Sequence, residues 1–316
     1  MGRQARYARR VRPFAIAVML AAIATGVEAQ DEPSDPRPEQ AGHHCLDEQE
    51  SKWVLHHLLA GQYNPPGAET SERLGLCFPL ITAPGVLFAY TSVEVGILNY
   101  LSPAYGQLGG YVQVTPLSII QLRAELSGLY YWPFPFDRAG YFPVAGYDAE
   151  FTREALPKDD AQSAPGWNVN LIGVLRLRVP LSEAWAALVL SIWSAEYFSI
   201  GDASHYFNLR RELVAAQRDW IVANESVAAA EVAVSPEWRF RFGIFDSWRA
   251  VPAAGYAANQ VGLFLGAHWP RPTGLLESMR DLQPFLRLGI YTAHGFRRSQ
   301  ISILLAVLSS YDLGAL

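Results

Sequence analysis

From Val86 onward the chain repeats one pattern in short tracts: apolar and polar residues alternate, and a period of two is the period of a strand whose two faces meet different surroundings. The clearest tract sets Ile120, Leu122, Ala124 and Leu126 against Gln121, Arg123, Glu125 and Ser127. Leu108, Gly110, Val112 and Val114 oppose Gln107, Gly109, Tyr111, Gln113 and Thr115, and Val93, Val95 and Ile97 oppose Ser92, Glu94 and Gly96. A sheet built from such strands needs either water on its polar face or a closed lumen.

The first residues decide between the two. Arg3, Arg6, Arg9, Arg10 and Arg12 form a basic leader, Phe14 to Ile23 an apolar core, and Val27-Glu28-Ala29 a small-x-small exit. This reads as a secretory signal over residues 1–29 rather than an uncleaved anchor, because the apolar core falls short of the ~20 residues a spanning helix needs. No later stretch reaches that length either; Trp185–Ser194 and Ile301–Leu308 are short and flanked by charge. An exported chain of alternating strands without a helical span fits a transmembrane β-barrel, the one sheet that pairs every backbone group while facing lipid.

Eleven tracts are countable. After those above come Trp167–Arg178, 184–198, 205–216, 225–234, Trp238–Ile244, Val261–Leu265, Leu286–Ile290 and Ile301–Val307. Bacterial single-chain barrels have even strand numbers, so the expectation is an all-β antiparallel barrel of twelve strands over residues 86–316, with ten the alternative. Trp132–Gly166, opening on Tyr131-Trp132-Pro133-Phe134-Pro135-Phe136, reads as a long outward loop behind an aromatic girdle. Leu101-Ser102-Pro103, Leu181-Ser182-Glu183 and Ser235-Pro236-Glu237 read as tight periplasmic turns.

Residues 30–85 form a separate N-terminal segment, periplasmic or plugging the barrel. Its first part, 30–42, is rich in Asp, Glu, Pro and Gln and is expected to be disordered; Leu46–Ala60 reads as a short helix, broken by Asn64-Pro65-Pro66-Gly67. The only two cysteines, Cys45 and Cys77, suit a disulfide in an oxidising compartment, which closes a loop of 31 residues and contributes about 3–4 kcal/mol in the chain-entropy model. His43, His44, Cys45, His56 and His57 offer metal-binding chemistry, but their spacing matches no standard site, and neither a metal nor another cofactor is expected.

The stretch Leu101–Leu126 resembles the turn-and-strand language of bacterial outer-membrane β-barrel proteins, and the likeness extends over 86–316. It implies architecture, an outer-membrane address, contact with outer-membrane lipid and use of the barrel insertion machinery. The end of the chain departs from that class: Tyr311 is the last aromatic, where such barrels usually finish in Phe or Trp.

Function is read from the polar phase. Arg123, Arg176, Arg178, Arg239, Arg241 and Arg287 fall on it, with Glu94 and Glu125 as partners, and all eight are expected to line the lumen. Without residues 1–29 the chain carries 20 Lys and Arg against 29 Asp and Glu, a net charge of −9 that argues against a nucleic-acid partner. The resulting expectation is a passive pore with an anion preference, passing small anionic solutes, or a largely closed structural barrel braced by ion pairs. The alternative from another class is a barrel lipid-modifying hydrolase, for which Ser204-His205 is the one suggestive pair, although neighbours on a strand point to opposite faces. A soluble secreted sandwich is the third reading.

Overall fold

The computed structural model describes residues 50–81, 91–235, 237–270 and 279–315. Its strands are β1 (Lys52–Tyr63), β2 (Gly67–Ile81), β3 (Thr91–Ser102), β4 (Tyr105–Leu117), β5 (Ile120–Tyr131), β6 (Phe142–Val144), β7 (Ala164–Pro180) and β8 (Trp185–Ile200). They continue with β9 (His205–Asn208), β10 (Leu213–Ala216), β11 (Arg218–Ala233), β12 (Arg239–Val251), β13 (Tyr256–His268), β14 (Met279–Ala293) and β15 (Ile301–Ala315). Twelve of them close into one antiparallel barrel in which β1 pairs with β15, and β6, β9 and β10 form a separate three-stranded sheet.

The count of twelve is met by a different set of strands from the one the sequence suggested. The tract 205–216 is not a wall strand; it folds into the short hairpin β9–β10. Two wall strands come instead from residues 52–81, so the barrel begins at Lys52 rather than Val86. The helix expected over 46–60 is therefore corrected: 52–60 lie in β1, and 46–49 lie outside the described residues. Among the described residues the only helical elements are the 3-10 turns Lys158–Asp160 and Pro252–Ala254. The physical reason is pairing. His57 and Leu59 have partners in both β15 and β2, and two complete ladders outweigh a weak local preference for helix.

The wall obeys the alternation. Leu108, Leu122, Leu126, Ile244, Leu263 and Leu305 stand exposed on the outside while Gln107, Gln121, Glu125 and Ser127 are buried inside. Outward aromatics gather toward both rims: Trp167, Tyr197 and Trp220 pack in a row with centroids 5.5 and 5.3 Å apart, and Trp238 stacks on Trp269 at 4.8 Å at the opposite rim. These are interfacial girdles around an apolar belt. The two ends differ. Lys52 and the turns at 118–119 and 181–184 share one rim, whereas the long connections 132–163 and 201–217 share the other. The turn at 101–103 lies at the long-loop rim, opposite to 181–183, contrary to its grouping from sequence.

Candidate functional site: an occupied lumen

The long-loop mouth is filled by its own chain. The β9–β10 hairpin buries Tyr206, Leu213 and Ala215 completely against Tyr105, Leu129, Tyr131, Phe198 and Ile221 on the inner wall, and β6 pairs with β9 to roof it. Burial of side chains such as Leu213 stabilises the hairpin by roughly 1.5–3 kcal/mol each. Gly201, at φ +61, starts the inward course, and a Cβ there would collide with the Tyr141 ring.

The hairpin carries two arginines into the lumen. Arg211 donates through Nε and Nη2 to Glu196 Oε2 at 2.8 and 2.6 Å, and Arg210 reaches Glu196 Oε1 at 3.0 Å. Arg210 also pairs with Glu69 of β2 at 3.3 Å and lies over the Tyr100 ring of β3 at 4.3 Å. Glu196 takes a further bond from Asn168 at 2.7 Å. One fully buried carboxylate thus ties the hairpin to β8, and Arg210 carries the tie across to β2 and β3.

At the tip, Glu212 binds Arg138 at 3.3 Å and Arg297 at 3.0 Å, and Arg297 also donates to Asn64. Four rim connections meet there. Glu212 and Arg138 both adopt left-handed backbone, at φ 51 and 63, which costs on the order of 1–3 kcal/mol each and is held by this buried cluster. His294 completes it. Its Nδ1 accepts from the backbone N–H of Phe296 and Arg297, both at 3.2 Å, and burial, with the charges of Arg249, Arg297 and Arg138, pulls its pKa down to about 3. The ring is neutral at physiological pH.

The residues read from sequence as lumen-facing sit on the inner wall in three networks. Arg123 donates to Glu125 at 2.7 Å, and Glu94 accepts from Tyr111 and Gln113 and faces His56 at 3.3 Å. Arg176 donates to Gln121 at 2.6 Å. Near the terminus end Arg178 and Arg241 share Glu231 at 3.0 and 2.7 Å, and Arg241 continues to Gln283 and to His268, which bonds Asp281 at 2.8 Å; Arg239 stands opposite His268 in the strand register. Arg287 donates to Glu225 at 2.8 Å.

The acids Glu69, Glu196, Glu225, Glu231 and Asp281 were missed from sequence, as were Arg210 and Arg211. Glu196, Glu225 and Glu231 lie in less regular tracts, Glu69 and Asp281 lie outside the tracts read as strands, and the two arginines lie on a hairpin whose inward fold has no local signature. Two inner guanidinium groups stay uncommitted: among the described residues Arg73 and Arg249 have neither an ion pair nor a side-chain hydrogen bond. Opposite the hairpin, between β1 and β11–β15, a cavity remains with Gln62, Ser247, Arg249, Arg287 and Ser302 in its lining.

The other sequence candidates separate. His56 faces inward and His57 outward, and His43, His44 and Cys45 lie outside the described residues. Cys77 is buried at 3% exposure on β2. Ser204 Oγ lies 3.4 Å from His205 Nδ1, in the connection before β9, and His205 packs edge-on against Tyr147. On the outer wall His57 Nε2 lies 3.2 Å from Thr70 Oγ1, but the Thr70 hydroxyl donates to Glu72 at 2.5 Å, so its proton is not directed at the imidazole.

Twelve antiparallel strands closed on themselves, apolar outside and polar within, are the architecture of outer-membrane proteins. The chain is an outer-membrane β-barrel. No protein-family model matches it, and no curated protein matches it. Among solved structures it is similar to the β domain of the Bordetella autotransporter BrkA, at 12% identity over 84% of this chain and 100% of that one, with a TM-score of 0.43. The NanC porin follows at 8% identity, 82% and 100% coverage and a TM-score of 0.34, and OprD from Pseudomonas aeruginosa at 8%, 84% and 93%, and 0.30. At these scores the assignment rests on the barrel's own strand pairing.

Proposed function

We propose that this barrel is a narrow passive pore of the bacterial outer membrane with a preference for anions, its lumen restricted from the long-loop end by the β9–β10 hairpin. The observation that supports this reading is the division of the lumen: Arg210, Arg211 and Glu196 fill one side, and a polar-lined cavity remains along β11–β15 and β1. The anion preference belongs to Arg73 and Arg249 rather than to Arg239 and Arg241. Arg241 is neutralised by Glu231, and the six arginines read from the sequence, set there against Glu94 and Glu125 alone, meet further acids in Glu225 and Glu231.

Planar-bilayer recording tests the reading. The wild-type protein should conduct weakly with anion selectivity, and replacing residues 203–216 by a short Gly-Ser linker should raise the conductance several-fold while heat-modifiable mobility is kept. A folded hairpin-less barrel that forms no channels would leave the closed, ion-pair-braced barrel as the better account.

Export by residues 1–29 and a Cys45–Cys77 bridge belong to the same proposal. Thiol labelling of the denatured, unreduced protein should modify neither cysteine; labelling of both would remove the bridge.

A further inference from the structure

The residual lumen cavity contains an arrangement that the bracing networks elsewhere in the barrel do not. Most arginines that the inner wall brings to an acid are in closed pairs: Arg123 with Glu125, Arg178 and Arg241 with Glu231, Arg210 and Arg211 with Glu196. Arg249 faces the cavity with no ion pair and no hydrogen bond among the described residues. Arg287, on the same cavity, spends only Nη2 on Glu225, and its buried Nε has no partner. The buried Nε of Arg287 lacks an acceptor, and an anion in the cavity would supply one to it and to the half-buried Arg249.

The rest of the lining narrows the class. Gln62, Ser247 and Ser302 present neutral donors and acceptors, and the Phe245 ring, already beneath Arg287 at 5.4 Å, supplies one apolar face. Guanidinium forks match the two oxygens of a carboxylate, and amides and hydroxyls match alcohol groups beside it. We infer that this cavity is a binding subsite for a small hydroxylated carboxylate, held through its carboxylate by Arg249 and the free edge of Arg287 and through its hydroxyls by Gln62, Ser247 and Ser302. The inference rests on the pore reading for its place on a transport path, but the site is defined by its own side chains. Glu225 opposes the ligand, since it holds Arg287 and carries like charge.

Isothermal titration calorimetry on the detergent-purified full barrel, with D-gluconate as the probe and D-glucose and inorganic phosphate as comparisons, tests it apart from conduction. Gluconate should bind and glucose should not. Arg249→Gln should weaken gluconate binding by roughly ten- to a hundredfold, and Glu225→Gln should tighten it by roughly two- to fivefold. Both variants are checked for heat-modifiable mobility, and Arg249→Lys, which keeps the charge and loses the fork, should fall between wild type and Arg249→Gln. Absence of gluconate binding to the wild type, equal binding by folded Arg249→Gln, or phosphate binding as tight as gluconate would each overturn the assignment. Gluconate binding by a barrel that forms no channels would sink the pore reading alone and leave the subsite standing.

Discussion

At the scale of single residues the wall is governed by phase. Leu122 points to lipid at 53% exposure, while its neighbour Gln121 is buried and bonded to Gln113 and Arg176. Leu122→Arg places a charge in the apolar belt and should cost about 2–4 kcal/mol, seen as loss of assembly into vesicles. Gln121→Glu should assemble normally, because Arg176 Nη2 already points at that position at 2.6 Å. Equal damage from both would reverse the assignment of faces. The rim cluster makes a pH prediction. His294 titrates near 3 when folded, against an ordinary 6.5, so the unfolded rim binds more protons between these values and its stability falls as pH drops through that window. Hydrogen exchange of residues 294–300 should quicken from pH 6.5 toward pH 4, and His294→Asn should flatten that dependence. A rate that stays level in the wild type, after correction for intrinsic exchange, would exclude His294 as the cause.

At the scale of elements, legibility followed regularity. β4, β5 and β12 were readable because each meets lipid on one face and, over most of its length, polar groups on the other; at the long-loop end of β4 and β5, Tyr105, Leu129 and Tyr131 meet the hairpin. β1 was not: Lys52-Trp53-Val54-Leu55-His56-His57-Leu58-Leu59 mixes apolar groups on both phases, a pattern that suits an amphipathic helix as well as a strand. Only its two ladders make it a strand. The tract 205–216 failed in the opposite sense, since it has strand character and does form β9 and β10, yet the turn at 209–212 is too early for either to cross a membrane. These readings give a prediction for β1 itself. A chain lacking residues 52–63 should lose heat-modifiable mobility altogether, because β2 and β15 would become open edges in lipid. A separable plug segment would permit its removal with the barrel intact.

At the scale of the whole molecule, the interior decides the function and the exterior decides the place. The outer wall needed only a periodic pattern, because lipid imposes the same demand at every second residue whatever the neighbouring strand carries. The all-β class, the even strand number and the inward phase of Arg123, Arg176, Arg178 and Arg287 were therefore open to reading along the chain. Partnership across the lumen was not. Glu196 meets Arg211 only because a loop turns back into the mouth, Arg287 meets Glu225 across two intervening strands, and Arg249 stands without an ion pair among the described residues although Glu225 lines the same cavity. Periodicity is a local property, fixed by which solvent each face meets, and the sequence by itself determined it. Closure of the barrel and the inward fold of the hairpin set distances between residues far apart in the chain, and only the tertiary structure decided which charges are neutralised and which are left without an ion pair.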